Sequence, residues 1–291
     1  MADELDDGLL LDDEFVAHSD EEEARPEQPE RSRLDDATSA KKRKRREQAK
    51  AQRRKKAARK QEQAAETHHI SQQPRDIQAD LLVGLQRKAF PKLSELELQE
   101  LRVPTAAFVE SFTFTQERTL DHLTPFVRQY VAPHEELQDA THPWMKEAGT
   151  PFLLVLTGNA QRAADLTRAL RPLLPGTDRT RGNGSSASMQ PTVAKLFARH
   201  FKLNEQVSWL QSQATPIAVG TPHRVQALLE HDALHLEHLR CLLVDASWTD
   251  AKQRAVLDTP ETRDALFALL AEKRVRALFQ APAASCQLLF F

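Results

Sequence analysis

Residues 216–248 read PIAVGTPHRVQALLEHDALHLEHLRCLLVDASW. Ile217, Ala218 and Val219 form a short apolar run that enters Gly220, Thr221, Pro222, His223 and Arg224. A run this short, closed by a Gly-Thr-Pro turn, reads as a buried strand. Pro222 suits the first position of a helix, where its missing N–H costs nothing. The segment after it predicts that helix, and the second apolar run, RCLLVD, ends in Asp245. Two strands that are apolar throughout, joined by a helix, imply a parallel sheet covered on both faces. Such sheets receive ligands at the carboxyl ends of their strands, which puts Gly220, Thr221 and Asp245 at that edge.

Upstream, PFLLVLT (151–157) reads as another buried strand. Asn159 is placed to cap AQRAADLTRALR, whose packing face is Ala160, Ala163, Leu166 and Leu170. A Gly/Ser-rich stretch, 176–190, leads to Pro191, and VAKLFARHF (193–201) is predicted as the helix that follows. Another helix is expected before residue 216. Downstream, Thr259 and Pro260 open a helix, and RVRALF (274–279) is predicted as the last strand. The expected carboxyl-end residues are Thr157, Gly220, Asp245 and Phe279. Residues 149–291 are therefore expected to form one α/β unit. Residues 77–148 read as a helical extension, with Leu81, Leu82, Leu85, Leu93, Leu96, Leu98 and Leu101 at helical spacing. Ser94 and Glu97 predict a capping box within it.

Charge is segregated along the 291 residues, whose net charge is −2. Residues 1–38 carry fifteen Asp/Glu against three Arg, and residues 41–60 carry thirteen Lys/Arg against one Glu. The acidic part, taken as 1–40, has too little apolar surface to offset the entropy of ordering and is predicted to be a disordered tail. The basic part, taken as 41–66, lacks an apolar stripe and has more cations than solubility requires. It fits nuclear and nucleolar localisation and RNA binding through Lys41, Lys42, Arg43, Lys44, Arg45, Arg46, Arg53, Arg54, Lys55 and Lys56. Cys241 and Cys286 form no disulfide framework and fit a reducing compartment. No apolar run approaches the ~18 residues a membrane helix needs, so no membrane partner is expected.

A phosphate-cradling loop ends in Gly-Lys-Ser/Thr. None of the eight glycines here is followed by lysine. His231, His235, His238 and Cys241 fall within eleven positions, but Cys241 belongs to an apolar strand and the histidines to a connection, so no metal site is expected. Asp245, with no phosphate loop to accompany it, is expected to cap the turn that follows.

Several blocks occur in order: LLVLTGNAQRAADLTRALR, VAKLFARHFKLNEQV, GTPHRV and LLVDASWTDAKQR. Together they resemble the fungal and animal family of 90S pre-ribosome (small-subunit processome) proteins, which are similar to a single DEAD-box RecA-like lobe without its ATPase motifs. The resemblance runs from about residue 76 to 291. It implies a P-loop-NTPase-type parallel sheet, a nuclear and nucleolar place in small-subunit assembly and rRNA processing, and pre-ribosomal RNA and assembly proteins as partners. Gly220, Thr221, Pro222 and Arg224 match the helicase turn that grips an RNA backbone. Asn159 and Arg162 fall where a second backbone-contacting motif begins, although TGNAQR departs from the helicases' Pro-Thr-Arg-Glu-Leu. Ala246 stands where the helicases' Asp-Glu-Ala-Asp has its catalytic glutamate, and LFQAP stands for their Ser-Ala-Thr. No second lobe is expected within this polypeptide.

Thr221 and Pro222 would serve as well in any helix start, so Arg224 is the member that discriminates, because capping needs no cation there. The function expected is non-enzymatic: an RNA- and protein-binding assembly factor with no cofactor, monomeric outside its complex. The alternative is a lobe that keeps a nucleotide site and forms half of an ATPase with a partner. A chromatin or histone-binding protein using the acidic tail is a third class.

Overall fold

The computed structural model describes residues 48, 50–52, 69–175, 190–199, 201–280 and 285–291. The chain divides into two compact units, residues 1–56 and 57–291. In the first, Gln48, Lys50, Ala51 and Gln52 are helical and exposed. The acidic segment and all ten basic candidates from Lys41 to Lys56 lie outside the described residues.

Among the described residues, the second unit is built on five strands: β1 (Leu153–Leu156), β2 (Val193–Leu196), β3 (Ile217–Gly220), β4 (Cys241–Val244) and β5 (Gln287–Phe290). Their order is β2-β3-β1-β4-β5, and every neighbouring pair is parallel. The helices are α1 (Arg75–Ala89), α2 (Glu95–Glu100), α3 (Leu120–Tyr130), α4 (His134–Gln138), α5 (Ala160–Leu170), α6 (Leu203–Leu210), α7 (Pro222–Glu230), α8 (Pro260–Ala271) and α9 (Lys273–Gln280). The expected α/β class, a parallel sheet covered by helices, is the one observed.

Side chains alternate across a strand, so one apolar sequence feeds two cores. Leu154, Leu156, Ala218, Leu242, Val244, Leu288 and Phe290 face the first core, shared with α1, α7, α8 and α9. Leu153, Val155, Ile217, Val219, Leu243 and Leu289 face the second, shared with α3 and α5. Each fully buried Val, Leu, Ile or Phe side chain contributes about 1.5–3 kcal/mol, so continuous apolar strands are what a two-sided sheet selects. Leu82 and Leu85 of α1 belong to the first core and Phe126 and Trp144 to the second. The segment read as a helical extension, 77–148, shares both cores with the sheet.

Helix starts follow their capping chemistry. The Asn159 side chain accepts from the N–H groups of Gln161 and Arg162 at 2.7 and 3.3 Å. Ser94 and Glu97 make the reciprocal capping box, and Pro222 and Pro260 begin α7 and α8.

Two elements differ from expectation. VAKL, predicted as helix, is β2. An apolar run of this length fits either state, and pairing with the open edge of β3 decides it. RVRALF, predicted as strand, lies in α9. There Val275 and Phe279, four residues apart, are both buried, and the Glu272 carboxylate accepts from the N–H groups of Arg274 and Val275 at 2.8 and 3.0 Å. This acidic cap is the signal that favours the helix. The last strand is Gln287–Phe290, so Phe291 and not Phe279 stands at its carboxyl end.

The winding places the site. The connection from β1 carries α5, on the second-core face, towards β2 at one edge. Those leaving β2, β3 and β4 carry α6 to α9 on the opposite face and step towards β5. Connections from the adjacent strands β1 and β4 therefore leave in opposite directions. This is the topological switch point, where an open α/β sheet forms its ligand crevice.

Candidate functional site

The switch point is closed by the chain's own side chains. Thr157 and Asp245 follow β1 and β4, and Thr157 Oγ1 donates to Asp245 Oδ2 at 3.0 Å. Arg162, on the first turn of α5, reaches across: its Nε donates to Oδ2 and its Nη2 to Oδ1, both at 2.9 Å. Arg162 is 5% and Asp245 1% exposed. The bidentate geometry and the Thr157 bond provide what a buried ion pair needs to offset its desolvation. Trp248 lies outside the pair, with the Arg162 guanidinium carbon 5.6 Å from its ring centroid. The main chain beyond is also engaged, because Ala246 and Ser247 donate to the Phe291 carbonyl at 2.8 and 3.0 Å.

This placement revises two expectations. Asp245 does not cap the next turn; it is the acceptor at the centre of the closed crevice. Arg162 was expected at an RNA backbone, but its guanidinium is turned inward and bound. Asn159 uses its side-chain oxygen on the start of α5. Among the described residues no group of three His, Cys, Asp or Glu could hold a metal ion. His231 bonds to the Ala227 carbonyl and His238 to Glu147, each at 2.9 Å. Cys241 is buried, and that burial, with Cys286 nearby, pushes its thiol pKa well up.

The turn after β3 is built differently. A Cβ on Gly220 would lie 2.4 Å from the Leu196 carbonyl oxygen and 2.6 Å from Leu196 Cβ, so only glycine lets β2 and β3 approach here. Thr221 donates its N–H to Leu196 O at 3.0 Å, and its own carbonyl accepts from Arg224 and Val225 at 3.1 Å. Its hydroxyl makes no capping bond to α7, while Pro222 is buried. Arg224 is half-buried, and desolvation lowers its pKa. Its Nη1 lies 3.4 Å from Gln206 Oε1 and its Nη2 donates to the Phe201 carbonyl at 3.2 Å. A guanidinium carries five donors, so these two contacts orient Arg224 without exhausting it.

Gly220, Thr221, Pro222 and Arg224 are thus gathered on one turn, whereas Arg162 belongs to the sealed crevice and Asn159 caps the helix that carries it. Sequence reading passed over Phe201, Gln206 and Trp209, which lie beside the turn and along β2. Expecting VAKLFARHF to be a helix hid the strand edge that brings them together.

A family model described as CMS1, U3-containing 90S pre-ribosomal complex subunit, matches residues 24–291. The chain belongs to this family. Among its relatives, Protein CMS1 of Chaetomium thermophilum is 38% identical over 213 residues, which cover 73% of this chain and 78% of that protein. Protein CMSS1 of Xenopus laevis is 30% identical, with 70% of this chain and 64% of that protein covered. Protein CMSS1 of Homo sapiens is also 30% identical, over 60% of this chain and 54% of that protein. The chain thus spans about two thirds or less of these vertebrate relatives. A solved structure of an S. cerevisiae dbp5 variant, bound to nup159, a gle1 variant, IP6 and ADP, aligns at 14% identity with a TM-score of 0.34, covering 71% of this chain and 45% of that one.

Proposed function

We propose that this CMS1-family chain is a non-enzymatic RNA- and protein-binding assembly factor of the 90S pre-ribosome, acting in nucleolar small-subunit biogenesis and rRNA processing. The observation that carries the reading is the closed switch point. Arg162 fills the crevice where a doubly wound sheet would hold a nucleotide, and its charge is already neutralised by Asp245. No Gly-Lys loop exists to cradle phosphates, and Ala246 offers no carboxylate to activate water. We read the sheet as a degenerate DEAD-box-like lobe that keeps its shape as a docking body. The basic run from Lys41 to Lys56 supplies salt-sensitive attraction to RNA and nuclear targeting, and Thr221 and Arg224 supply a localised phosphate contact at the start of α7.

The experiment pairs two titrations. Calorimetry with magnesium and ATP is expected to give no binding heat; saturable binding would favour the partner-completed ATPase. Single-stranded RNA is then titrated at several salt concentrations into a chain beginning at Ala57, which removes the basic run. Arg224→Ala is expected to lower the salt slope by about one unit and weaken all sequences alike. Unchanged affinity and slope in a folded variant would leave the turn with only a structural role.

A further inference from the structure

β2 pairs with β3 alone among the described residues, so one side of this strand is an edge. The N–H of Thr192 donates to Ala214 O, and Leu196 O accepts from Thr221. Backbone groups alternate in direction along a strand, so those of Val193 and Lys195 point outward. The Gln206 side chain donates to the outward Lys195 carbonyl. A groove of about 490 Å³ runs along this edge, and its charged lining is two cations, Arg171 and Lys195, against one carboxylate, Glu205, with Phe201, Gln206 and Trp209 beside them. Phe201 and Trp209, each 39% exposed, are among the few large apolar side chains left open to solvent among the described residues.

We propose that this groove takes an extended segment of a partner protein, with acidic and apolar residues in alternation, added to the sheet beside β2. The proposal rests on the protein-binding half of the function given above. The edge offers main-chain bonds, and an added strand presents successive side chains to opposite sides. On one side stands α6, which packs on the first core and carries Trp209 and, one turn before it, Glu205, so this side repels acidic residues and favours apolar ones. On the other, Lys195 shares its face with Val193, which belongs to the second core, and Arg171 follows α5. Apolar residues of the incoming segment meet Trp209 and acidic ones meet Lys195 and Arg171. Gln206 holds the edge in the meantime, donating where a partner N–H would.

The test uses the full chain and a short synthetic peptide of alternating Glu and Leu/Phe, followed by fluorescence anisotropy. Trp209→Ala, with its fold checked by circular dichroism, is expected to weaken binding about tenfold or more. Lys195→Glu should weaken it too and regain affinity for a peptide with Lys in place of Glu. Methylating the peptide's backbone nitrogens at one alternate set of positions should abolish binding, while the other set is tolerated, a pattern that apolar contact alone does not produce. No binding, insensitivity to Trp209→Ala, or equal loss in both methylated sets would overturn the proposal. So would oligouridylate that displaces the peptide and itself loses affinity in Trp209→Ala, which would give the groove to RNA. Dimerisation of the chain abolished by Trp209→Ala would give it to a second copy. The RNA slope set by Arg224 is read separately, so failure of one reading leaves the other standing.

Discussion

Two arginines lie near the carboxyl edge of one sheet, and they are used in opposite ways. Arg162, between the ends of β1 and β4, makes a bidentate pair with a carboxylate that is itself bonded by Thr157, and both partners are buried. Arg224, on the turn after β3, is held by a side-chain amide and a backbone carbonyl, both neutral acceptors, and stays half-buried. A cation satisfied by an anion has no electrostatic reason to seek another, whereas one oriented by neutral acceptors keeps its charge uncompensated. The fold thus closes the position where sheets of this type do chemistry and leaves cationic the position beside it.

The sharpest way to break this contrast is to remove the anion at the switch point. Asp245→Ala leaves Arg162 buried and unpaired and is expected to cost about 3–5 kcal/mol, read as a lower urea midpoint at unchanged slope. Replacing both residues, Arg162→Met with Asp245→Leu, should recover most of that loss, because apolar side chains of similar volume carry no desolvation cost. A loss below about 1 kcal/mol for Asp245→Ala would mean that water already reaches the pair. The crevice would then not be sealed.

Gly220→Ala gives the next effect and separates structural from binding roles on the turn. Its new Cβ would meet the Leu196 carbonyl at 2.4 Å, a backbone atom with little room to yield. Overpacking of this kind costs about 1–3 kcal/mol. The variant is expected to lose stability while its RNA salt slope, measured where it is folded, stays unchanged. Arg224→Ala should do the reverse, and a slope change in Gly220→Ala would show that the two roles are not separable.

The three central strands, β3, β1 and β4, are legible because they are apolar on both faces, and Asn159, Ser94, Pro222 and Pro260 announce helices by local chemistry that tertiary packing preserved. The switch-point pair was not legible. Arg162 and Asp245 are 83 residues apart, and only the winding that brings β1 beside β4 makes them neighbours. In the sequence Arg162 is one more cation on a helix, and only its place at the start of the motif that resembles a helicase backbone contact groups it with the RNA contacts. The groove was lost through a single local ambiguity, four residues of β2 that fit either state until β3 supplies a partner. Propensity has no term for an open sheet edge, and the residues that line it, from Arg171 to Trp209, have no pattern of their own.

The smallest effect compares the buried carboxylate with an exposed one. Glu97 on α2 accepts from the Ser94 hydroxyl and the Ser94 N–H, each at 2.7 Å, while its own N–H donates to Ser94 Oγ at 3.4 Å. The hydroxyl bond first, and then the backbone bond, hold the Glu97 carboxyl below its ordinary pKa. A carboxyl depressed in the folded state contributes stability that is present above its unfolded pKa and lost as pH falls through the folded one. Ser94→Ala is therefore expected to lower Tm by about 2–4 °C at neutral pH. The difference from wild type should narrow in acid, where Glu97 is protonated, without vanishing, because Ser94 Oγ also accepts the Glu97 N–H. Glu97→Gln keeps a capping-box side chain without the titrating group, so in that background the effect of Ser94→Ala should no longer depend on pH. Scanning calorimetry of the four proteins at neutral and acidic pH makes the measurement. A Ser94→Ala deficit equal at both pH values in the wild-type background would show that the box is held by its neutral bond alone, and that among these carboxylates only the buried one depends on its charge for the fold.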